Sequence, residues 1–293
     1  MKYIVSAPPY DETNGGAIFQ HLLVHTLNGL GETACLWPQP PIYRKSKRER
    51  LLALFQTYAT SPDFDTPVFR GKSAPADAIV VYPEVVLGNP LKAAHVVRWL
   101  LYRPGVRHPY EFTENEMFFH CGEFFDVPEI TGGAPELSMW YRNRTYRNEN
   151  RPDRKGVCYI VRKGDKKPRL PETETPDAVQ IDDMTHAQVN EVFNRSETFI
   201  SYDEATTYSQ FAAICGCDSI IVPGFYDSHE EWAATHPLGR YGVSYGFDHL
   251  DHARATRHKV IGMMDAQEKD SVESVRNFVR LTKERFGKAA QPA

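Results

Sequence analysis

Long apolar runs, paired cysteines, short repeats and any strong excess of charge are all missing from this chain of 293 residues. No run approaches the ~20 apolar residues that a membrane-crossing helix needs. The opening MKYIVSAPPYDE reaches proline and acidic residues after only a few apolar ones, shorter than a signal peptide requires, and a cytoplasmic protein is expected. Five cysteines, Cys35, Cys121, Cys158, Cys215 and Cys217, are odd in number and lack a Cys-x-x-Cys spacing, which argues against a disulfide framework or a structural zinc. Reduced, mostly buried thiols are expected instead. A net charge of -4 and a pI near 6.3 provide no basic field, which disfavours nucleic acid as a partner.

What is present is globular: 41% hydrophobic, 12% aromatic and 25% charged residues, long enough for one large domain or two ordinary ones. Apolar runs alternate with amphipathic stretches. Strands are expected at Tyr3–Ala7, Ala34–Trp37 and Ala78–Pro83, and helices at Ala17–Leu30 and Leu91–Leu101. Between Ala134 and Lys155 the chain becomes rich in Arg and Asn and loses periodicity, and a domain boundary is placed there, giving halves of residues 1–150 and 151–293. The alternation then resumes with strands at Val157–Arg162, Ala178–Asp182, Thr198–Tyr202 and Ser219–Pro223, and helices at Thr185–Phe193 and Tyr208–Cys215. This is an α/β pattern of two doubly wound parallel-sheet halves. A last amphipathic stripe, Val272 to Phe286, must pack on something.

Open parallel sheets bind ligands beyond the carboxyl ends of their strands, so strand-to-helix loops are where chemistry is expected. Thr206, Thr207 and Ser209 gather hydroxyls and backbone N–H groups at a helix start, a place for a phosphate or diphosphate; the simpler alternative is that Thr206 or Ser209 only caps the helix. Cys215-Gly216-Cys217 reads as a helix end with glycine in the left-handed position. Arg162 and Lys163 bring cations to a strand end, and arginine binds phosphate oxygens in a two-pronged way. In the first half, Asn14-Gly15-Gly16 precedes a helix and lets the backbone approach a ligand or turn sharply, with Asp11 and Glu12 beside it. The three-glycine dinucleotide fingerprint and its ribose-binding acid are absent, which weakens a dehydrogenase reading. Glu84 follows a strand, and FFHCGEFF is expected to bury His120 and Glu123 among aromatics, where their proton affinities could shift.

Taken together, the glycine pair and helix at Gly15–Gly31, VVYPEVVLGNPL at Val80–Leu91, the Arg162-Lys163 strand end and SYDEATTYSQFAAICGC at Ser201–Cys217 resemble a GT-B glycosyltransferase over most of the chain. The resemblance implies two Rossmann-like domains facing across a cleft. The N-terminal one would be acceptor-side and the C-terminal one would bind a nucleotide sugar, with a last helix, about residues 271–287, crossing back to the first. It implies a diphosphate leaving group held by Arg162, Lys163, Tyr202, Asp203, Thr206 and Thr207, with Gly15 and Gly16 lining the ligand and no metal or further cofactor. Asp11, Glu84, His120 and Glu123 are the candidate catalytic acids and bases; Glu84, Asn89 and Tyr241–His249 are candidates for the sugar pocket. Many retaining members carry two acidic residues separated by seven others before Cys-Gly; here Asp203 holds the first position and Phe211 the second, which leaves the stereochemical outcome open. The implied partners are a nucleotide-sugar donor and a glycan or lipid-linked acceptor, in surface polysaccharide synthesis, with peripheral membrane association as a further expectation. The rivals are a sugar-nucleotide epimerase and a non-catalytic nucleotide- or glycan-binding subunit.

Overall fold

The computed structural model describes residues 1–39, 57–106 and 109–287, and its contacts divide the chain into two units, Met1–Tyr141 with Gln267–Ala293, and Arg142–Ala266. Unit 1 is built on a parallel sheet of five strands, β1 (Lys2–Ala7), β2 (Thr33–Pro38), β3 (Ala78–Pro83), β4 (His95–Leu100) and β5 (Met117–His120), in the order β2-β1-β3-β4-β5. β1 and β3 are continuous apolar runs because both of their faces are covered. On one face Tyr3, Val5, Ile79, Val81, Val97 and Trp99 meet Leu23, Val24 and Leu27 of helix α1 (Gly15–Gly29); on the other lie Ile4, Val80, Tyr82, Val86, Leu91 and Val96. Asn14 starts α1 by accepting the N–H groups of Gly16 and Ala17 on its side-chain oxygen, the usual N-cap arrangement.

Within Leu91–Leu101, where the spacing predicts a helix, the structure has strand β4. Two adjacent valines and a tryptophan favour the pleated conformation, and Arg98, within the same run, faces no water. It is 0% exposed; its guanidinium pairs with Glu116 at 2.7 Å and donates to the carbonyls of Pro83, Val86 and Gly88. A short helix α2 (Pro128–Thr131) follows β5.

Unit 2 repeats the plan with β6 (Val157–Ile160), β7 (Val179–Gln180), β8 (Thr198–Ser201), β9 (Asp218–Ile221) and β10 (Val243–Tyr245), all parallel, in the order β10-β9-β8-β6-β7. Helix α3 (His186–Arg195) begins with a capping box between Thr185 and Gln188, and α4 (Tyr208–Cys215) ends at Gly216, whose φ of 100° is left-handed. Cys215 and Cys217 flank that glycine fully buried. Helices α5 (His229–Thr235), α6 (Leu250–Thr256) and α7 (Val260–Gly287) complete the described chain. Both units are therefore Rossmann-like parallel sheets flanked by helices. Among the described residues no helix is long and apolar enough to cross a membrane.

The division between units falls at 141/142 rather than at 150/151. The Arg/Asn-rich stretch is pinned to α3: the Tyr146 hydroxyl bonds His186, and the N–H groups of Arg147 and Glu149 donate to the side chains of Asn190 and Asn194 at 3.3 and 2.8 Å. The terminal stripe packs in unit 1, where Phe278 meets Tyr3 and Phe119 with ring centroids 5.7 and 4.9 Å away, while Val260 and Met264, at the start of the same helix, lie in the core of unit 2.

Candidate functional site

In each sheet the first strand lies between the second and the third, so the winding reverses between β1 and β3 and again between β6 and β8. Ligands of such sheets bind outside the carboxyl ends at this reversal, where the following loops diverge.

At the reversal of unit 2 the loops after β6 and β8 are in contact: a Cβ on Gly164 would lie 2.2 Å from the Tyr202 carbonyl oxygen. The carboxylate of Asp182, just past β7, accepts the N–H groups of Val161 and Arg162 at 3.0 and 2.8 Å. The chain is thereby drawn into a 3-10 turn at Arg162–Gly164, with Arg162 at φ 38°, a left-handed conformation uncommon for any residue but glycine. The guanidinium then lies 4.6 Å from the ring centre of Tyr208, the first residue of α4.

That helix start is unusual. Thr207 occupies the N-cap position without a side-chain hydrogen bond, and the first turn has no acidic residue. The Thr206 hydroxyl receives the Tyr208 N–H only at 3.4 Å, and Ser209 Oγ is buried without a partner among the described residues. The Thr206 hydroxyl thus caps α4 with one long hydrogen bond, and the Ser209 hydroxyl does not cap it. The Arg162 guanidinium and the first turn of α4, which carries no acidic residue, meet at the Tyr208 ring.

The other candidates of this unit differ in exposure. Lys163 is exposed and Thr207 half-buried. Tyr202 is fully buried, its hydroxyl accepting the Leu170 N–H at 2.7 Å and sharing a hydrogen bond with Thr173, while the Arg169 guanidinium covers its ring. Asp203 is buried and accepts the Ala205 N–H at 3.1 Å, shaping the turn. Beside them, unmarked in the sequence, Glu204 joins three loops: it takes Lys167 Nζ at 2.6 Å and the Phe225 N–H at 3.0 Å, while Lys167 also donates to the Val222 carbonyl. Part of the Tyr241–His249 stretch is strand β10 rather than loop.

At the reversal of unit 1, Gly15 and Gly16 open α1. A Cβ on Gly15 would meet nothing within 4 Å, and one on Gly16 would reach Leu101 at 3.8 Å. The Leu101 N–H donates in turn to Glu84 Oε2 at 2.9 Å, so Glu84 shares this edge with the start of α1. Glu84 is 7% exposed; burial pushes its carboxyl up to about 6, against the opposing pull of N–H groups including that of Leu101. Asp11 is exposed, its carboxylate taken by the N–H and hydroxyl of Thr13. His120 is buried at the end of β5, with Nδ1 lacking a partner among the described residues, but β5 is two strands from β3, roughly 10 Å. Glu123, expected among buried aromatics, is exposed on the 3-10 turn Glu123–Phe125, beyond the end of β5 at His120. Asn89 is occupied in closing its own turn, bonding Tyr82 and Ala93. Among the described residues no group of three or more His, Cys, Asp or Glu side chains is placed to hold a metal ion.

No family model matches the chain, and no curated protein matches it. Among solved structures, the crystal structure of MurG from Acinetobacter baumannii is similar over 97% of this chain and 99% of that one, at 10% sequence identity and a TM-score of 0.37.

Proposed function

We propose that the protein is a glycosyltransferase of the GT-B kind that moves a sugar from a nucleotide donor to a hydroxyl of a glycan or lipid-linked acceptor in surface polysaccharide synthesis. The observation that supports this reading is the cation of Arg162 over the ring of Tyr208, the first residue of α4, at the winding reversal of unit 2. Loss of a nucleoside diphosphate creates negative charge, and preorganised N–H groups and a guanidinium aimed at it lower the barrier. Lys163 and the Thr206 and Thr207 hydroxyls would add to that field, whereas Tyr202 and Asp203 would hold the loop in shape. Charge supplied in this way makes a metal unnecessary in the proposed reaction.

In unit 1 the role of base falls to Glu84. A general base works best with a proton affinity near the working pH, and burial moves this carboxyl toward it. Gly15 leaves open space at the same edge for an acceptor.

The test is turnover with a panel of UDP-, GDP-, dTDP- and CMP-linked sugars, following release of the nucleotide with and without a mixture of polysaccharide fragments and polyprenyl phosphate acceptors. One donor class should turn over, faster with acceptor and undiminished by EDTA. Arg162→Met should raise KM for the donor, and Glu84→Gln should lower kcat by about a hundredfold or more with donor binding retained. Binding of a nucleotide without any transfer would instead make the chain a non-catalytic subunit, and interconversion of donor sugars without an acceptor would make it an epimerase.

A further inference from the structure

Away from the strand ends that carry the candidate site, unit 1 has a pocket of about 440 Å³, within the ~300–1,000 Å³ range of small-molecule sites. It runs along the second half of α1, from Leu22 to Leu30, and is walled by the segment Met139–Tyr141 and by α7 between Glu268 and Arg276. Leu22, Leu30, Met139 and Val272 make its sides apolar, and Trp140 and Tyr141 add two rings. These walls are fixed by the fold. The N–H groups of Ser138 and Trp140 donate to the hydroxyls of Ser274 and Ser271 at 2.9 and 2.8 Å, which ties their segment along α7. On the α1 side the His25 ring stacks on Phe64, with centroids 5.4 Å apart, and Phe64 meets Tyr141 edge to face at 5.7 Å.

Three donors on this lining have no firm partner. His25 Nδ1 accepts the Asp65 N–H at 2.9 Å, which leaves the proton of the neutral ring on Nε2, and that N–H has no partner among the described residues. The indole N–H of Trp140, a half-buried residue, has none among them either. Arg276 pairs with Glu273 at 3.2 Å where both side chains are more than half exposed, a pairing that contributes little. Glu268 stands at the other end of the pocket, eight residues or ~12 Å along the helix.

We infer that this pocket binds an amphipathic monocarboxylate, with its apolar body against Leu22, Val272 and the Trp140 ring and its carboxylate toward Arg276. The apolar walls disfavour a wholly polar ligand, which would lose its hydration there without replacement. A guanidinium meets a carboxylate through two parallel N–H bonds, and one arginine balances one negative charge. A dianion would keep a charge uncompensated, with Glu268 in the same pocket adding to it.

The test is a titration of the isotope-labelled full chain with octanoate, and separately with octanol, followed by NMR through the indole N–H signals of its four tryptophans. Trp140→Phe identifies the signal of Trp140 by its loss. Octanoate should move that signal and leave those of Trp37, Trp99 and Trp232 in place. Octanol, which has the same chain without the charge, should bind about tenfold more weakly or worse. Arg276→Gln should weaken octanoate binding by about tenfold and leave octanol binding unchanged. Because Arg276 is exposed, the unfolding midpoint of that variant should match wild type, so a lost affinity is not a lost fold. A Trp140 signal unmoved by octanoate, equal affinity for acid and alcohol, or octanoate binding unaffected by Arg276→Gln would each overturn the proposal.

Discussion

Glu84 shows how one residue can trade stability for readiness. Its carboxyl, pushed up to about 6 from 4.5, holds a proton more tightly in the folded chain than in the unfolded one. Its contribution to stability is therefore complete below about pH 4.5 and is lost as pH rises to about 6, a difference of about 2 kcal/mol. Glu84→Gln keeps an oxygen for the Leu101 N–H and has no charge to bury. Urea unfolding of the two proteins at pH 4 and pH 7 should show the variant gaining on wild type by about that amount at the higher pH; equal gaps at both values would contradict the assignment. The position of Glu84, immediately after a strand, was legible in the sequence, but its burial was not, because that depends on the distant Leu101. Asp11 and Glu123 looked equivalent to it on the page, and only the fold turns one onto Thr13 and the other outward. The stacking of Tyr208 on His186, with ring centroids 5.7 Å apart, left no mark either, since it joins residues 22 apart in sequence and two different helices.

At the scale of elements, the local signals that read correctly were those whose physics is local. Gly216 is one: a helix that must stop and reverse before β9 needs a left-handed residue, and at φ 100° only glycine is comfortable. Gly216→Ala should destabilise unit 2 by about 1–2 kcal/mol, and more if the new Cβ, which would lie 2.9 Å from Asn148 Nδ2 and 3.1 Å from an Arg154 nitrogen, displaces either side chain. Thermal unfolding with hydrogen exchange read at the α4 amides checks this, and unchanged protection there would count against it. The signal that misled was β4, expected as a helix, in which a charged side chain finds its partner, Glu116, on a neighbouring segment. Pattern reading assumes that a charged side chain marks water. Arg98 breaks that assumption, since removing either partner of a buried pair leaves the other uncompensated.

For the whole molecule, the alternation of apolar runs and amphipathic stretches was enough to give two doubly wound parallel sheets, because each strand buried on both faces writes its own unbroken apolar run. The stripe ending at Phe286 announced a buried face without naming what it buries against; that choice is made by tertiary packing on Tyr3 and Phe119. Phe278→Ala should cost about 3–5 kcal/mol, read as faster hydrogen exchange in β1, β3 and β5; protection unchanged in those strands would mean that the helix is not part of their core. The order of these segments along the chain also governs synthesis. A ribosome delivers all of Arg142–Ala266 before the residues from Gln267 onward that complete the core of unit 1. At ~5–20 residues per second, the sheet made first waits on the order of ten seconds with Tyr3 and Phe119 uncovered. During translation, the earlier-made unit is the one whose core is completed last.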